Sequence, residues 1–284
     1  MPLSLRRGVV TAIVERVPGL VRLEVDGVAC LAFPRLTGEV EDGDDVVVNE
    51  GARLLGLGSG GFDVLHANLT RGLGLPQEER AHVMALPYTS GQLALRRVEE
   101  DVVLAESLDG LPVVLCTLHS QVAPVCAALA GLRVAYVQVA GGALPVSLSD
   151  AVRSLRARGL LERTVAVAPC LDADVEAVTA AGALALADVA NVVGALGGRP
   201  VLAVRASEAD QRERHLGVSH HTRAVLDFTL TELVAAWPEE VETEGWEAAC
   251  MGLPLHHMGR GPADDPAFFR AAFAAGVVAR RLAS

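Results

Sequence analysis

Short runs with the two-residue period of a β-strand fill the first quarter of the chain, and turn residues separate them. These predicted strands are 8–14, 20–25, 28–33, 45–49, 53–57 and 63–68. The Asp26-Gly27 pair between two of them is a strong hairpin signal. Short strands at even spacing predict a small antiparallel β-barrel-like domain over residues 1–69.

From about residue 102 onward, continuous apolar runs alternate with segments of helical period. Such runs are typical of strands covered on both faces, and the alternation indicates parallel strands with right-handed crossovers. The predicted strands are 112–118, 133–140, 163–168 and 200–205, and the predicted helices are 120–129, 149–158 and 174–187. Ser147-Leu-Ser-Asp150 has the form of a capping box, which supports the second helix start. We therefore predict an α/β fold with a mostly parallel Rossmann-like sheet over residues 102–284.

A connecting segment, residues 70–101, joins these two parts, and the α/β domain ends in a helical region. The elements predicted there are a strand at 82–88 and helices at 92–99, 228–237 and 268–282. Pro266 after Asp265 marks a good start for the final helix.

Composition limits the chemistry. The chain has 284 residues, of which 51% are hydrophobic, so it can bury an ample core. All of its basic residues except histidine are arginine, so no lysine exists to form a Schiff base, to hold pyridoxal phosphate or to serve a P-loop. The apolar fraction is compatible with a homodimer.

Charge and cysteine content exclude some partners. The net charge is -11, which repels phosphate backbones, so we expect no nucleic acid partner. Residues 1–69 carry six Arg against ten acidic residues, so we expect a structural or docking barrel. Five scattered cysteines indicate reduced thiols and a cytoplasmic protein. We find no signal peptide and no transmembrane segment, so we expect no membrane association.

Polar or glycine residues follow each predicted parallel strand, where open α/β sheets bind their ligands. The densest such stretch is an arginine–histidine run, residues 205–222, which follows the last of these strands. The candidate ligand-binding residues are Gly141, Gly142, Asp172, Asp174, Arg205, Arg212, Arg214 and Arg260, and the candidate catalytic residues are His119, His215, His220 and His221. Arginine holds phosphate or carboxylate bidentately, and histidine suits general acid–base work near neutral pH.

Each candidate also has a structural interpretation. His119 and Asp172 could cap helices, and arginines beside acidic residues could form surface ion pairs. His220 and His221 cannot face one way on a regular element, although in a loop they could converge. Zinc needs three or four ligands, and the His/Asp spacing here matches no metal motif, so zinc is not favoured. Gly56–Gly61 lies between two predicted strands, so a tight connection is favoured over a phosphate cradle.

Several phrases together resemble DUF3866, an uncharacterised bacterial family. The most specific are Ser219-His-His-Thr222 and Met258-Gly-Arg-Gly261, with Gly56–Gly61 and Gly141–Pro145 in support. The resemblance spans nearly the whole chain and implies no known activity, hence no catalytic residues. It also implies that this chain lacks a glycine-rich insert after the third helix and carries Cys170–Asp174 in place of a Gly-Gly-Asp phrase, which would remove part of a phosphate-type loop.

Two functional hypotheses stay open. One is an enzyme or binding protein for a small anionic metabolite, a hydrolase or transferase with a histidine acid–base. The other is a non-catalytic assembly protein in which the arginine–histidine run locks the barrel to the α/β core.

Overall fold

The N-terminal residues form a closed five-stranded barrel in a computed structural model of the chain. The structure describes residues 3–56, 61–75, 79–81, 83–85, 88–96, 103, 105–139, 145–167, 175–176, 186–204, 220–257 and 259–284. The barrel elements are β1 (Leu5–Val17), β2 (Leu20–Val25), β3 (Val28–Ala32), α1 (Pro34–Thr37), β4 (Asp45–Asn49), α2 (Gly51–Leu54) and β5 (Asp63–Asn68). Their order around the barrel is β1-β2-β3-β5-β4, and β4 pairs with β1 to close it. The pairing of β3 with β5 is parallel, whereas the other pairs are antiparallel.

Alternate residues of these strands fill the barrel. Val21, Leu23 and Val25 of β2 point inward with Val46 and Val48 of β4, as the two-residue period requires. The hairpin predicted at Asp26-Gly27 is confirmed, and both residues take positive φ there.

The strand predicted at 53–57 is wrong over its described part. Gly51–Leu54 is a short helix, and five strands already close the barrel. The Asn49 side chain accepts a hydrogen bond from the Gly51 backbone N–H at 2.9 Å, which turns the chain out of β4. The Arg53 side chain then forms an ion pair with the buried Asp63, in which Nε lies 2.8 Å from Oδ1.

The connecting segment contains a small hairpin. Strands β6 (Val83–Ala85) and β7 (Leu93–Leu95) pair antiparallel. The strand predicted at 82–88 is therefore present but shorter, and the helix predicted at 92–99 is wrong where it is described. Pairing with β6 gives the Leu93–Leu95 backbone its hydrogen bonds, which outweighs a local preference for helix.

Parallel strands and helices alternate through the α/β part. Its elements are β8 (Pro112–Cys116), α3 (Val122–Ala128), β9 (Ala135–Val139), α4 (Asp150–Ala157), β10 (Arg163–Val167), β11 (Val175–Glu176), α5 (Leu186–Ala195), β12 (Arg199–Ala203), α6 (His220–Phe228), β13 (Val234–Ala236), α7 (Trp246–Ala249) and α8 (Pro266–Ala283). They form two three-stranded parallel sheets, β13-β12-β8 and β11-β10-β9. The protein is thus a mixed α/β fold with a barrel.

Helix α8 is the central buried helix of this part. It begins at Pro266, as predicted, and nearly all of its Ala and Phe side chains are buried against α3, β8 and β12. A Cβ placed on Gly276 would lie 2.6 Å from both the Ala128 Cβ and the Val125 carbonyl oxygen. The small residues of α8 therefore let it cross α3 at close range.

Two predicted helices of the α/β part are wrong over short described segments. Val175–Glu176 lies within the predicted helix 174–187 but pairs with β10 as a strand, and α5 begins at Leu186. Val234–Ala236 lies within the predicted helix 228–237 but pairs with β12. In both places the short run pairs with the middle strand of a three-stranded parallel sheet and forms an edge strand of that sheet. No helix among the described residues is long and apolar enough to cross a bilayer.

Candidate functional site

The carboxyl ends of β8 and β12 are joined by one side chain, that of the fully buried Gln121. Its Nε2 donates to the Ala203 and Val204 carbonyl oxygens at 3.1 and 3.3 Å. Its Oε1 accepts from the Leu118 N–H and the Thr117 hydroxyl, both at 3.1 Å. All the hydrogen-bonding capacity of this buried amide is therefore used to hold the two strand ends together.

His119 lies in the 3₁₀ turn that follows β8, half-buried between two hydroxyl groups. Its Nε2 is 2.6 Å from the Ser149 Oγ, and its Nδ1 is 3.1 Å from the Tyr136 hydroxyl. Tyr136 in turn donates to the buried Gln138 at 3.4 Å. Because the tyrosine proton points to Gln138, the network assigns the histidine proton to Nδ1.

Ser149 is held in place by its position at the start of α4. It is the N-cap of that helix, and its Oγ accepts from the Val152 N–H at 3.1 Å. The helix start was predicted, but the capping residue is Ser149, not Ser147. With Oγ accepting from Val152, its hydroxyl proton is available for Nε2 of His119. Thus the three hydrogen bonds run in one direction, from Ser149 through His119 to Tyr136 and Gln138.

Burial lowers the pKa of His119 below its ordinary value, because the surrounding protein solvates the imidazolium poorly. The ring is therefore neutral at pH 7. A neutral imidazole can accept a proton at Nε2, the property required of a general base, and because the Ser149 hydroxyl occupies that position a proton would reach His119 through Ser149.

A second histidine approaches the same turn from the C-terminal region. The His257 Nδ1 lies 3.3 Å from the Ser120 Oγ. The buried His257 ring stacks on Phe268 at a centroid separation of 3.8 Å, and its backbone pairs with that of Arg260. Residues 119 and 120 thus each contact a partner far away in the sequence.

The structure describes only part of the predicted site. His119 lies at the carboxyl end of β8, as predicted. His220 and His221 begin α6, so their backbone belongs to a regular element and not to a loop. Arg260 lies in a tight turn beside His257. The remaining predicted residues fall outside the described ranges: Gly141, Gly142, Asp172, Asp174, Arg205, Arg212, Arg214 and His215.

Sequence reasoning missed Gln121, Ser149 and His257. Gln121 precedes an apolar run, where a role in the core is the ordinary interpretation. Ser149 stands at a helix start, where a capping role is the ordinary interpretation. His257 carried a signal, because it belongs to the glycine-rich His256–Pro262 phrase. Nothing in the sequence indicated that this phrase would contact the turn after β8, which it does through the hydrogen bond between His257 and Ser120.

No group of three His, Cys, Asp or Glu side chains in the described part of the chain is arranged to hold a metal ion. A shallow cleft of about 210 Å³ lies elsewhere, lined by Arg133, Val134, Ala135, Glu162 and Arg163. Its lining residues lie around the amino ends of β9 and β10, so it is not part of the candidate site. Arg133 and Glu162 close it with a two-pronged ion pair, both bonds being 2.9 Å long.

Comparison with known proteins gives one family match. The family model described as a protein of unknown function, DUF3866, matches residues 29–190 and 182–249. The two matched segments overlap at 182–190, near the place where the resemblance implies a missing glycine-rich insert. The loss of that insert stays a prediction. No curated protein matches, and no solved structure matches.

Proposed function

Since the chain belongs to DUF3866, a family of proteins of unknown function, we propose a function from the geometry of its site. We propose that the protein binds a small anionic metabolite, bearing phosphate or carboxylate, at the carboxyl ends of β8 and β12. His119 would serve there as the general acid–base of a hydrolase- or transferase-type reaction. The observation that carries the proposal is the histidine held at that edge between the hydroxyl groups of Ser149 and Tyr136.

The hydrogen bonds of Gln121, which join the ends of β8 and β12, support this location of the anion site. Gln121 bonds to Val204, and the next residue in the sequence is Arg205, which opens the arginine–histidine run. The run ends at the start of α6, whose Val225 packs with Leu115 of β8 and Leu202 of β12. Both ends of the run are therefore attached to the strands that carry His119, which favours arginines close to the histidine.

Arginine suits this role because its planar guanidinium pairs bidentately with phosphate or carboxylate. Arg205, Arg212 and Arg214 would bind the anion, while Gly141 and Gly142 would let the backbone approach it. Asp172, Asp174 and Arg260 complete the proposed ligand contacts, with His215, His220 and His221 as further acid–base candidates. Ser120 and His257 join this proposed site on the basis of their contact with the same turn.

Three further expectations belong to the proposal. The two parallel sheets would form one Rossmann-like layer. The protein would act in the cytoplasm, since its described cysteines are free thiols. It would bind no nucleic acid, because of its acidic surface, and it would function as a homodimer.

A thermal-shift screen tests the proposal. Inorganic phosphate, pyrophosphate and a panel of phosphorylated and carboxylated metabolites would be titrated against the wild type, His119→Gln and His66→Gln. His66 is an exposed histidine on β5 and serves as the matched control. A true ligand at 100 times its Kd stabilises the folded state by about 2.7 kcal/mol. We expect at least one anion to raise Tm in the wild type and in His66→Gln, with weaker binding in His119→Gln.

The same experiment addresses the structural alternative. If no anion raises Tm, and His119→Gln or His220→Ala lowers the unfolding temperature strongly, the polar groups stabilise the fold and bind nothing. The tight hydrogen-bond chain at His119 is the observation that favours that alternative.

A further inference from the structure

The outer face of the barrel is buried where the start of β2 pairs with the end of β3. Leu20 is 0% exposed and Leu31 is 3% exposed, although both point away from the barrel interior by the two-residue alternation. They form an apolar cluster with Phe33, Phe62 and Val64. An outward strand face buried to this degree must be covered by another part of the chain.

The turn before α4 contributes to this cover. Among the described residues of this cluster, Leu148 is the member that lies outside the barrel. Two residues later Asp150 forms an ion pair with Arg22 of β2 at 3.7 Å. Ser149 lies between these two contacts, and its hydroxyl is the partner of His119.

We propose that the β2–β3 face of the barrel is an interaction surface whose partner is the 146–150 turn of the same chain, and that this docking positions Ser149 against His119. Small Greek-key barrels commonly bind oligonucleotides on the face of their second and third strands. Here the corresponding face holds the turn that orients the candidate base. Leu148 and Arg22 are positioning residues, because they act through Ser149 and touch no ligand.

Docking has a measurable consequence at two places. When the turn is loosened, the Val152 N–H loses its acceptor and its amide exchanges faster. The Nε2 of His119 at the same time becomes accessible to water, so the imidazolium is better solvated and the pKa rises toward about 6.5. Among the described residues, the titratable group hydrogen-bonded to His119 is Tyr136, and Cys116 and Cys126 lie close to that tyrosine. Burial raises the pKa of both thiols to about 12, so they stay neutral between pH 5 and pH 8.

The experiment uses the ligand-free full-length chain, so its result does not depend on the proposed function. His119 would be titrated by NMR and the Val152 amide followed by hydrogen exchange in the wild type, Leu148→Ala, Arg22→Gln and Arg7→Gln. Arg7 is an exposed barrel arginine paired with Asp45, away from the turn, and is the matched control. We expect Val152 to exchange at least about tenfold faster in Leu148→Ala, with a raised His119 pKa. Arg22→Gln should give smaller changes in the same direction, and Arg7→Gln none.

The inference is overturned if Leu148→Ala leaves both quantities at their wild-type values while the barrel amides remain protected. Should Leu148→Ala fail to fold, Arg22→Gln decides the matter by the same two measurements. Loss of the positive charge at residue 22 would by itself slow the hydroxide-catalysed exchange of the Val152 amide, so faster exchange reports loosening of the turn and not a change in electrostatic potential.

Discussion

Replacing Gln121 with leucine should loosen the edge on which the candidate site is built. The substitution keeps the side-chain volume similar and removes four hydrogen bonds, to Thr117, Leu118, Ala203 and Val204. Each is worth about 0.5–1.5 kcal/mol, and a buried N–H left without an acceptor costs roughly 1–3 kcal/mol. We therefore expect Gln121→Leu to lower the free energy of unfolding by about 3–5 kcal/mol.

Urea denaturation followed by circular dichroism measures this loss. Gln92→Leu provides the control, because Gln92 is an exposed glutamine that accepts one backbone hydrogen bond, from Tyr88, so the protein's stability should fall by no more than about 1.5 kcal/mol. Gln121→Glu adds a second check: near pH 7 its carboxylate would face the Ala203 and Val204 carbonyl oxygens. Protonation turns that oxygen into a donor, so the loss should shrink on acidification. A Gln121→Leu protein within about 1 kcal/mol of the wild type would refute the claim that this amide holds the strand ends together.

Three more predictions concern the rest of the molecule. Gly276→Ala should destabilise by about 1–3 kcal/mol despite the better helix propensity of alanine, because its Cβ would meet Ala128; an unchanged or higher Tm would contradict the close crossing. For Asp44, burial opposes ionisation, but hydrogen bonds from Arg71 and Asn68 lower its pKa overall. The stabilisation is therefore present above pH 4 and is lost as pH falls through the folded-state pKa, so Asp44→Asn should destabilise the protein more at pH 7 than at pH 3 by urea titration. Burial raises the pKa of four thiols to about 11 or 12, so in native protein at pH 8 these four should resist iodoacetamide, and mass spectrometry showing rapid labelling of any of them would contradict this. They are Cys30, Cys116, Cys126 and Cys250.

The barrel strands could be predicted because their patterns depend on local alternation and turn chemistry. The β2, β4 and β5 bounds match the prediction, and the positive φ of Gly27 is what its hairpin turn requires. The errors in which a helix was predicted and a strand is found share one cause. Leu93–Leu95 and Val234–Ala236 are apolar runs too short to distinguish helix from strand, and each was decided by a neighbouring strand that its own sequence does not reveal.

The site was predictable only in part, for a related reason. His119 follows a clear apolar strand, so its place at the carboxyl edge could be inferred from the chain itself. Its partners Ser149 and Tyr136, and the approach of His257 to Ser120, arise from packing between distant segments. Hydrophobic periodicity locates an edge of a sheet, but it carries no information about which distant hydroxyl will meet a given imidazole.

The central claim is that His119 and the arginine–histidine run share one anion site. Its most direct test is an NMR titration of ¹³C-histidine-labelled protein with pyrophosphate, which follows all eight imidazole signals. The account predicts that His119 shifts with at least one of His215, His220 and His221, along a single saturation curve. The account is contradicted if His119 stays unmoved while pyrophosphate shifts only exposed histidines such as His66.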